Sequence, residues 1–319
     1  MIADRPMQHR DLQAVCNLLN ESQHFDGVAQ VVQLDELEEL LTEEGDLTEN
    51  VRLAELDGEV VGMVRTVHLP SETAQERCYL FGTVRPELRG KGIGTLLMEW
   101  AVPRGTALLL SSSNALPKFL RVEATDTNTA AHRFFERLGF ASVRVFEELL
   151  RPLDELPPWR EPVGVHIVPW PTTRDEEIRL AKNLAFADHW GSTPTSPSRW
   201  QLMVHGFGNW TERSFIALDD DDHVVAHCHN QRYPADDELL GRRDGWISSL
   251  GTLREWRGRG IGSTLVVRSL HAFADAGMTH ASIGVDGDSL TGAAQLYRSL
   301  GFEVVHRAIT LQIEVSRPA

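Results

Sequence analysis

An α/β fold with a mixed sheet, present twice in one chain, is what this sequence predicts, and three observations carry the prediction. A glycine-rich phrase occurs twice, as RGKGIG at residues 89–94 and RGRGIG at residues 257–262, each time between an apolar strand-like run and a helix-like run. Each phrase is followed some forty residues later by an amphipathic segment ending in LGF, at Leu138-Gly139-Phe140 and Leu300-Gly301-Phe302. The spacing is nearly constant: 168 positions separate Arg89 from Arg257 (257 − 89), and 162 separate Gly139 from Gly301 (301 − 139). A conserved offset with small loop changes is the mark of a duplication, not of glycines recurring by chance.

Each element follows from local pattern. DLQAVCNLLN, near Asp11–Asn20, is helical, with Asp11 suited to cap its start. A second helix near Leu34–Glu44 carries Leu34, Leu37, Leu40 and Leu41 at helical spacing. Val51–Leu56 and Glu59–Leu69 are strands joined by Asp57-Gly58, a strong hairpin signal. Arg77–Val84 is a further strand, the glycine phrase leads into the helix GTLLMEWAV, and strand Phe119–Ala124, helix Asn128–Leu138 and closing strand Phe140–Leu150 follow. The proline-rich stretch 152–163 has no periodicity and reads as a linker. The order then repeats: strand Val165–Val168, helix Arg174–Ala187, a polar loop GSTPTSPS, and a hairpin of Ser214–Leu218 and His223–Tyr233 across an acidic turn. Strand Trp246–Thr252, helix Ile261–Ala276, strand Thr279–Val285, helix Ser289–Leu300 and strand Phe302–Ile313 complete it. Hairpins before and a βαβ-like half after each glycine phrase give a mixed sheet. The expected domains are 1–151 and 164–319, joined by 152–163.

Composition narrows the function classes. At 319 residues there is room for two ordinary domains, and 42% hydrophobic with 24% charged residues is typical of a soluble globular protein. A net charge of −15 argues against a nucleic-acid backbone or an anionic membrane as partner and is compatible with a cationic small molecule. Cys16, Cys78 and Cys228 are scattered and odd in number, so neither a disulfide framework nor a thiolate zinc site is expected. No apolar run approaches a membrane span, and the polar start MIADRPMQHRDLQ lacks a signal core, so a cytoplasmic location is expected.

A loop of alternating glycines between strand and helix can point successive backbone N–H groups at one spot, and the helix terminus adds partial positive charge. Arg89, Lys91, Arg257 and Arg259 add more. Such a loop holds a phosphate or pyrophosphate. A Walker loop would end in a lysine, absent at Gly94-Thr95 and at Gly262-Ser263-Thr264. A dinucleotide fingerprint would be GxGxxG near a domain start, whereas GxGxG lies here in mid-domain behind a hairpin. The pyrophosphate of coenzyme A is the third option.

The phrase resembles the Q/R-x-x-G-x-G/A signature of the GCN5-related N-acetyltransferases (GNATs), matched by Arg89, Gly92 and Gly94 and by Arg257, Gly260 and Gly262. Val84 and Pro86 fit the residues usual before that loop, and TNTAAHRFFERLGF and SLTGAAQLYRSLGF resemble the family's coenzyme-contacting helix and closing LGF. The resemblance covers nearly the whole chain, twice, and the layout is similar to mycothiol synthase and related two-domain acetyltransferases. It implies two tandem GNAT-like domains, each a mixed sheet splayed between its fourth and fifth strands. The pantetheine arm of acetyl-CoA would lie in the V, beside Phe81–Val84 and Leu250–Thr252. The coenzyme-binding residues it implies are Val84, Arg89, Gly90, Lys91, Gly92, Ile93, Gly94, Thr95 and Asn128 in the first copy. In the second they are Leu250, Gly251, Thr252, Arg257, Gly258, Arg259, Gly260, Ile261, Gly262, Ser263 and Ser289.

Acetyl transfer from a thioester to an amine needs a neutral amine, a donor for the tetrahedral oxyanion and a proton for the leaving thiolate. In the family resembled, a fourth-strand N–H serves the oxyanion, and a tyrosine four residues before the LGF glycine protonates the sulfur. Tyr297 holds that place in the second copy and Phe135 in the first. A phenol can donate a proton and a phenyl ring cannot, so the C-terminal copy is expected to be catalytic. The second copy departs from the family in carrying Ser289-Leu290 where an asparagine is common, as at Asn128. Neither fourth strand, RCYLFGTV nor GWISSLGT, holds a carboxylate, which leaves the general base open among Asp188, His189 and Asp244.

The acceptor is expected to be a small molecule with a primary amine. Asp188, His189 and Trp190, in a stretch mixing aromatics with an acid, are candidate acceptor contacts. His223, His227 and His229 share one predicted strand and read as outward polar residues; no metal is expected. Cys228 reads as an inert core thiol. A monomer with internal pseudo-symmetry and a homodimer both remain open, as does a non-catalytic acyl-CoA-binding role.

Overall fold

The computed structural model describes residues 2–28, 30–43, 46–288 and 292–316. The chain divides into two compact units, Met1–Arg144 with Ala308–Ala319, and Val145–Arg307. The first half of the chain supplies β1 (Ile2–Pro6), α1 (Leu12–Phe25), α2 (Leu34–Glu43), α3 (Leu47–Asn50), β2 (Val51–Leu56), β3 (Glu59–Leu69), β4 (Glu76–Val84), α4 (Ile93–Ser111), β5 (Lys118–Thr125), α5 (Thr129–Arg137) and β6 (Ala141–Pro152). The second supplies β7 (Val165–Pro169), α6 (Asp175–Ala185), α7 (Pro197–His205), β8 (Phe215–Asp219), β9 (Val224–Arg232), α8 (Asp237–Leu240), β10 (Asp244–Thr252), α9 (Ile261–Asp275), β11 (His280–Asp286), α10 (Ala293–Ser299) and β12 (Glu303–Glu314).

In the first unit the strands run β1-β2-β3-β4-β5 and then the Ala308–Glu314 part of β12; only β4 and β5 are parallel. In the second they run β7-β8-β9-β10-β11 and then Phe146–Pro152 of β6, with β10 and β11 the parallel pair. The two closing strands have thus changed places. Leu149 of β6 packs in the core of the second unit and Leu311 of β12 in the core of the first. This amends the expected boundaries at 151 and 164. The alternating pattern of a closing strand suits either sheet, because pairing partners are not written into period-two alternation.

Helices cover both faces of each sheet. In the first unit α4 buries Leu97 and Ala101 against Leu80, Leu120 and Phe140, while α1 and α2 bury Val15, Leu37 and Leu41 against Leu53 and Met63. In the second, α9 buries Leu265 and Phe273 against Ile247 and Ile283. On its other face Trp170, Ile178, Trp200 and Val204 cover Ile216. The Asp57-Gly58 turn has φ of 53° and 87°, the left-handed pair that a two-residue hairpin turn demands. Helix α7 begins at the end of the stretch expected to be a polar loop, GSTPTSPS, and runs on beyond it. Ser196 caps it, its hydroxyl accepting from the Arg199 N–H at 3.3 Å, and Pro197 takes the first helical position.

Both parallel pairs part after four residues. The β4–β5 register ends at Tyr79↔Arg121 and the β10–β11 register at Ile247↔Ile283. Beyond these points residues 80–84 and 248–252 are unpaired on that edge, so each sheet opens into a V.

The copies differ in the next register. β3 and β4 pair without interruption from Leu69↔Arg77 to Gly62↔Val84. Between β9 and β10 the register jumps from Ile247↔Asn230 to Ser249↔His229. Ser248 is the extra residue of a β-bulge, at the mouth of the V, and such a bulge turns backbone groups away from the ladder.

Candidate active site

The second glycine loop meets α9 with Gly258 at φ 76° and Gly260 at φ 80°. Side chains in this left-handed region cost roughly 1–2 kcal/mol, so glycine belongs here. A Cβ built on either glycine meets no atom within 4 Å, so the loop faces open space. Beyond it stand the unpaired N–H groups and positive dipole end of the 15-residue helix α9. Gly90 (76°) and Gly92 (89°) repeat the arrangement before α4. Each cradle therefore fits a pyrophosphate, with the unpaired edge of β4 or β10 leading away from it.

The loop arginines correct one expectation. Arg257 points inward: it donates to the carbonyl oxygens of Thr252 (3.1 Å) and Ala185 (2.7 Å) and to both oxygens of Asp188 (2.6 and 2.9 Å). Arg89 does the same with the Val84 carbonyl (3.0 Å) and Asp26 (2.5 and 2.9 Å). Each is neutralised by a carboxylate and ties its loop to the first helix of its copy. It adds no free charge to the cradle. Lys91 and Arg259 are exposed, Arg259 lying over the Trp256 ring at 4.6 Å. Asn128 caps α5, accepting from the Ala131 N–H at 3.0 Å. Ser289 lies outside the described residues.

A cavity of about 430 Å³ runs along the second V. Its walls include Ser248–Thr252, Gly258, Gly260–Ser263, Ile283–Asp286 and Tyr297. The cavity thus brings together Leu250, Gly251, Thr252, Arg257, Gly258, Gly260, Ile261, Gly262, Ser263 and Tyr297, as the sequence grouped them. Tyr297, on α10, is 5% exposed, and its ring meets Phe302 edge-on at 6.1 Å. No described residue takes its hydroxyl proton. Burial, and then the nearby Cys228, hold that proton on more firmly than in an ordinary tyrosine. Phe135 in the first copy packs instead among Phe134 and Phe140.

The acceptor and base candidates separate. Asp188 and His189 line the cavity, but the Asp188 carboxylate is engaged by Arg257, whose hydrogen bonds hold it below the usual carboxylate range. Nδ1 of His189 sits 3.2 Å from the Trp190 carbonyl. Trp190 is not among the described residues lining the cavity, and its ring faces Phe146 at 6.4 Å. Asp244 accepts from Ser282 (2.5 Å) and Arg242 (3.2 Å) at the paired end of β10, three residues before the V opens.

Two of the three histidines are not outward residues, contrary to expectation. His223 is exposed beside Asp219, but His227 (0% exposed) and His229 (1%) lie under the α6 and α7 layer. His227 Nε2 is 2.9 Å from Ser249 Oγ, and His229 Nδ1 is 2.7 Å from Ser248 Oγ. Burial lowers His227 to about 3 and His229 to about 4. Among the described residues no group of three His, Cys, Asp or Glu is arranged to hold a metal ion. Cys228 is fully buried, 3.2 Å from Ser269 Oγ, its thiol pushed up to about 12 by burial. Sequence reasoning missed Ser248, Ser249 and Asn209. The only signal was the pair of adjacent serines in an otherwise apolar strand.

The model of the acetyltransferase (GNAT) family matches residues 12–140 and again 176–302. This chain belongs to the GNAT acetyltransferase family. It is an acetyl-CoA-dependent N-acetyltransferase, tandem in organisation. It is 28% identical to a mycothiol acetyltransferase of Nocardiopsis dassonvillei, over 78% of this chain and 77% of the relative. Identity to one of Parafrankia sp. is 27%, over 99% and 97%. A GCN5-related N-acetyltransferase from Sphaerobacter thermophilus superposes with a TM-score of 0.75 at 27% identity, covering 100% of this chain and 97% of that one. A tandem GNAT protein from the clavulanic acid biosynthesis pathway shares the fold at 16% identity, with a TM-score of 0.72 and full coverage of both. No helix among the described residues is long and apolar enough to cross a membrane.

Proposed function

We propose that the C-terminal copy carries out the acetyl transfer and that the acceptor is a small molecule bearing a primary amine. One observation carries this reading: the bulge at Ser248 and the phenol of Tyr297 line the same cavity, whereas the first copy has an unbroken β4 and Phe135. Bound acetyl-CoA would supply an electrophilic thioester carbonyl. The loop Gly258–Gly262 and the N-terminus of α9 hold its pyrophosphate, and the free edge of residues 248–252 aligns its pantetheine arm. Backbone N–H groups released by the bulge donate to the developing oxyanion, a contribution typically worth about 3–4 kcal/mol. Tyr297 donates its hydroxyl proton to the departing sulfur; the elevated affinity of that hydroxyl for its proton keeps the donor charged with it across neutral pH. Arg257 and Asp188 keep the loop in register with α6.

The names of the relatives support the unacetylated form of mycothiol as the first acceptor to try. The first copy serves as a structural partner or a second coenzyme site. A panel of primary amines, that compound included, incubated with acetyl-CoA and monitored by thiol release and mass spectrometry, tests the reading. Acetylation of at least one amine, abolished by Tyr297→Phe and retained by Phe135→Leu, is expected. Tight acetyl-CoA binding with no amine acetylated would favour a non-catalytic acyl-CoA-binding protein.

A further inference from the structure

The chain has no carboxylate on the unpaired stretch of β10, yet the amine must lose a proton as it attacks. The residues at the bulge offer another route. Ser248 lines the cavity, and behind it His229 is 1% exposed. His229 Nδ1 lies 2.7 Å from Ser248 Oγ, and its Nε2 lies 3.0 Å from Asn209 Oδ1. An amide oxygen can only accept, so Nε2 carries the hydrogen and Nδ1 keeps its lone pair toward the Ser248 hydroxyl, whose single proton has two acceptors in reach, Nδ1 at 2.7 Å and the His229 carbonyl oxygen at 3.1 Å. The Asn209 amide is oriented by its NH₂ group, 3.5 Å from Thr211 Oγ1. The neighbouring His227–Ser249 pair lacks this clamp, because His227 Nδ1 is buried without a hydrogen-bond partner.

We propose that Ser248 and His229, oriented by Asn209, form the proton relay that deprotonates the attacking amine; the inference rests on the C-terminal copy being the catalytic one. As the amine nitrogen bonds to the acetyl carbon, its N–H proton passes to Ser248 Oγ while the Ser248 hydroxyl proton passes to His229 Nδ1. The C–S bond then breaks with its electron pair on sulfur, which takes the Tyr297 proton. The imidazolium proton and the phenolate are afterwards balanced through water. Ser248 touches the reacting amine and is the catalytic member; His229 and Asn209 act through it.

The first copy supports the assignment by contrast. At the position matching Ser248, the first residue beyond the parallel pairing, stands Leu80, opposite Thr66. A leucine there can neither accept nor pass a proton. The groups facing the His229 imidazole are compatible with a neutral resting state. Asp175 of α6 and His205 of α7 hydrogen-bond each other at 2.6 Å, His227 is its neighbour on β9, and Lys182 of α6 stands near His227 with its pKa lowered to about 8 by burial. The Trp170 ring closes the site at 5.3 Å.

Two experiments on the full chain test this. Kinetics with whichever amine the panel identifies should show Ser248→Ala lowering kcat 10²-fold or more, with acetyl-CoA Kd by calorimetry within twofold. Ser248→Thr should restore at least a third of the rate. Adding His229→Gln to Ser248→Ala should cost no more than threefold further, since a relay fails as a unit. Wild-type kcat in Ser248→Ala, or multiplicative losses in the double variant, would overturn the relay. Should His229→Gln not fold, Asn209→Leu replaces it with the same expectation. Imidazole ¹⁵N NMR needs no acceptor, which separates failure of the relay from failure of the acetyl-transfer reading. It should show His229 as the neutral Nε2–H tautomer from pH 6 to 9, with the Nδ1 signal moving on Ser248→Ala. The Nδ1–H tautomer, an imidazolium in that range, or an unmoved signal would refute the arrangement.

Discussion

Replacing Tyr297 by phenylalanine removes one oxygen atom and nothing else from the proposed centre. The ring keeps its edge contact with Phe302 and its place under α10, so the core loses no apolar area. The hydroxyl has no acceptor among the described residues, so its loss does not strand a buried partner, and the melting temperature should stay within about 2 °C or rise slightly. Catalysis should respond very differently. A positioned proton donor contributes about 10²–10⁴-fold, which at 1.36 kcal/mol per decade is about 3–5 kcal/mol of barrier. Steady-state thiol release with a saturating amine should therefore show kcat down at least 100-fold, with Kd for acetyl-CoA unchanged by calorimetry. In the wild type, burial raises the phenol's pKa, so the neutral donor's stabilising contribution is complete below the ordinary tyrosine value near 10 and is lost as pH rises through the higher folded value. The rate should accordingly not decline through tyrosine ionisation below about pH 10. A kcat for Tyr297→Phe within threefold of wild type would refute the donor role.

Other outcomes follow from the same geometry. Phe135→Tyr should fail to rescue Tyr297→Phe, since the first copy also lacks the bulge; restored turnover would contradict the asymmetry. Gly260→Ala puts a methyl group into the open cradle at φ 80°, costing roughly 1–2 kcal/mol in the loop. It should weaken acetyl-CoA at least tenfold in calorimetry, whereas unchanged affinity would remove this loop from the binding site. His227 and His229 are buried neutral with depressed pKa values of about 3 and 4. Their contribution is complete above the unfolded value near 6.5 and is lost as pH falls toward the folded values. Denaturant titrations should show unfolding free energy falling by up to about 2.7 kcal/mol per pH unit between pH 6 and 4, for two protons. A flat profile in His227→Phe and wild type alike would count against that origin.

Much of the architecture is legible in the sequence because it rests on local chemistry. The Asp57-Gly58 hairpin, the two glycine loops and the order of strands and helices need only neighbouring residues to be decided. The features that escaped depend on partners far along the chain. The closing strands β6 and β12 exchange sheets, and their alternation would read the same had they not. The bulge at Ser248 exists only in the register of β10 against β9, where Ile247 pairs with Asn230 and Ser249 with His229, and that register is not written into β10 alone. Ser196-Pro197 is a helix start that was read as loop, because serine and proline serve both. The histidines read as outward because polar side chains on a strand beside an acidic turn usually are. Here α6 and α7 cover them, and the serines of β10 take their hydrogen bonds.

Under the proposed function the two copies are unequal and chemistry belongs to the second. A crystal structure of the full chain with acetyl-CoA tests it most directly. Expected are pyrophosphate density at Gly258–Gly262, the thioester carbonyl within hydrogen-bond reach of a backbone N–H in residues 248–250, and the sulfur next to the Tyr297 hydroxyl. A thioester seated only in the V of the first copy, beside Phe135, would contradict it.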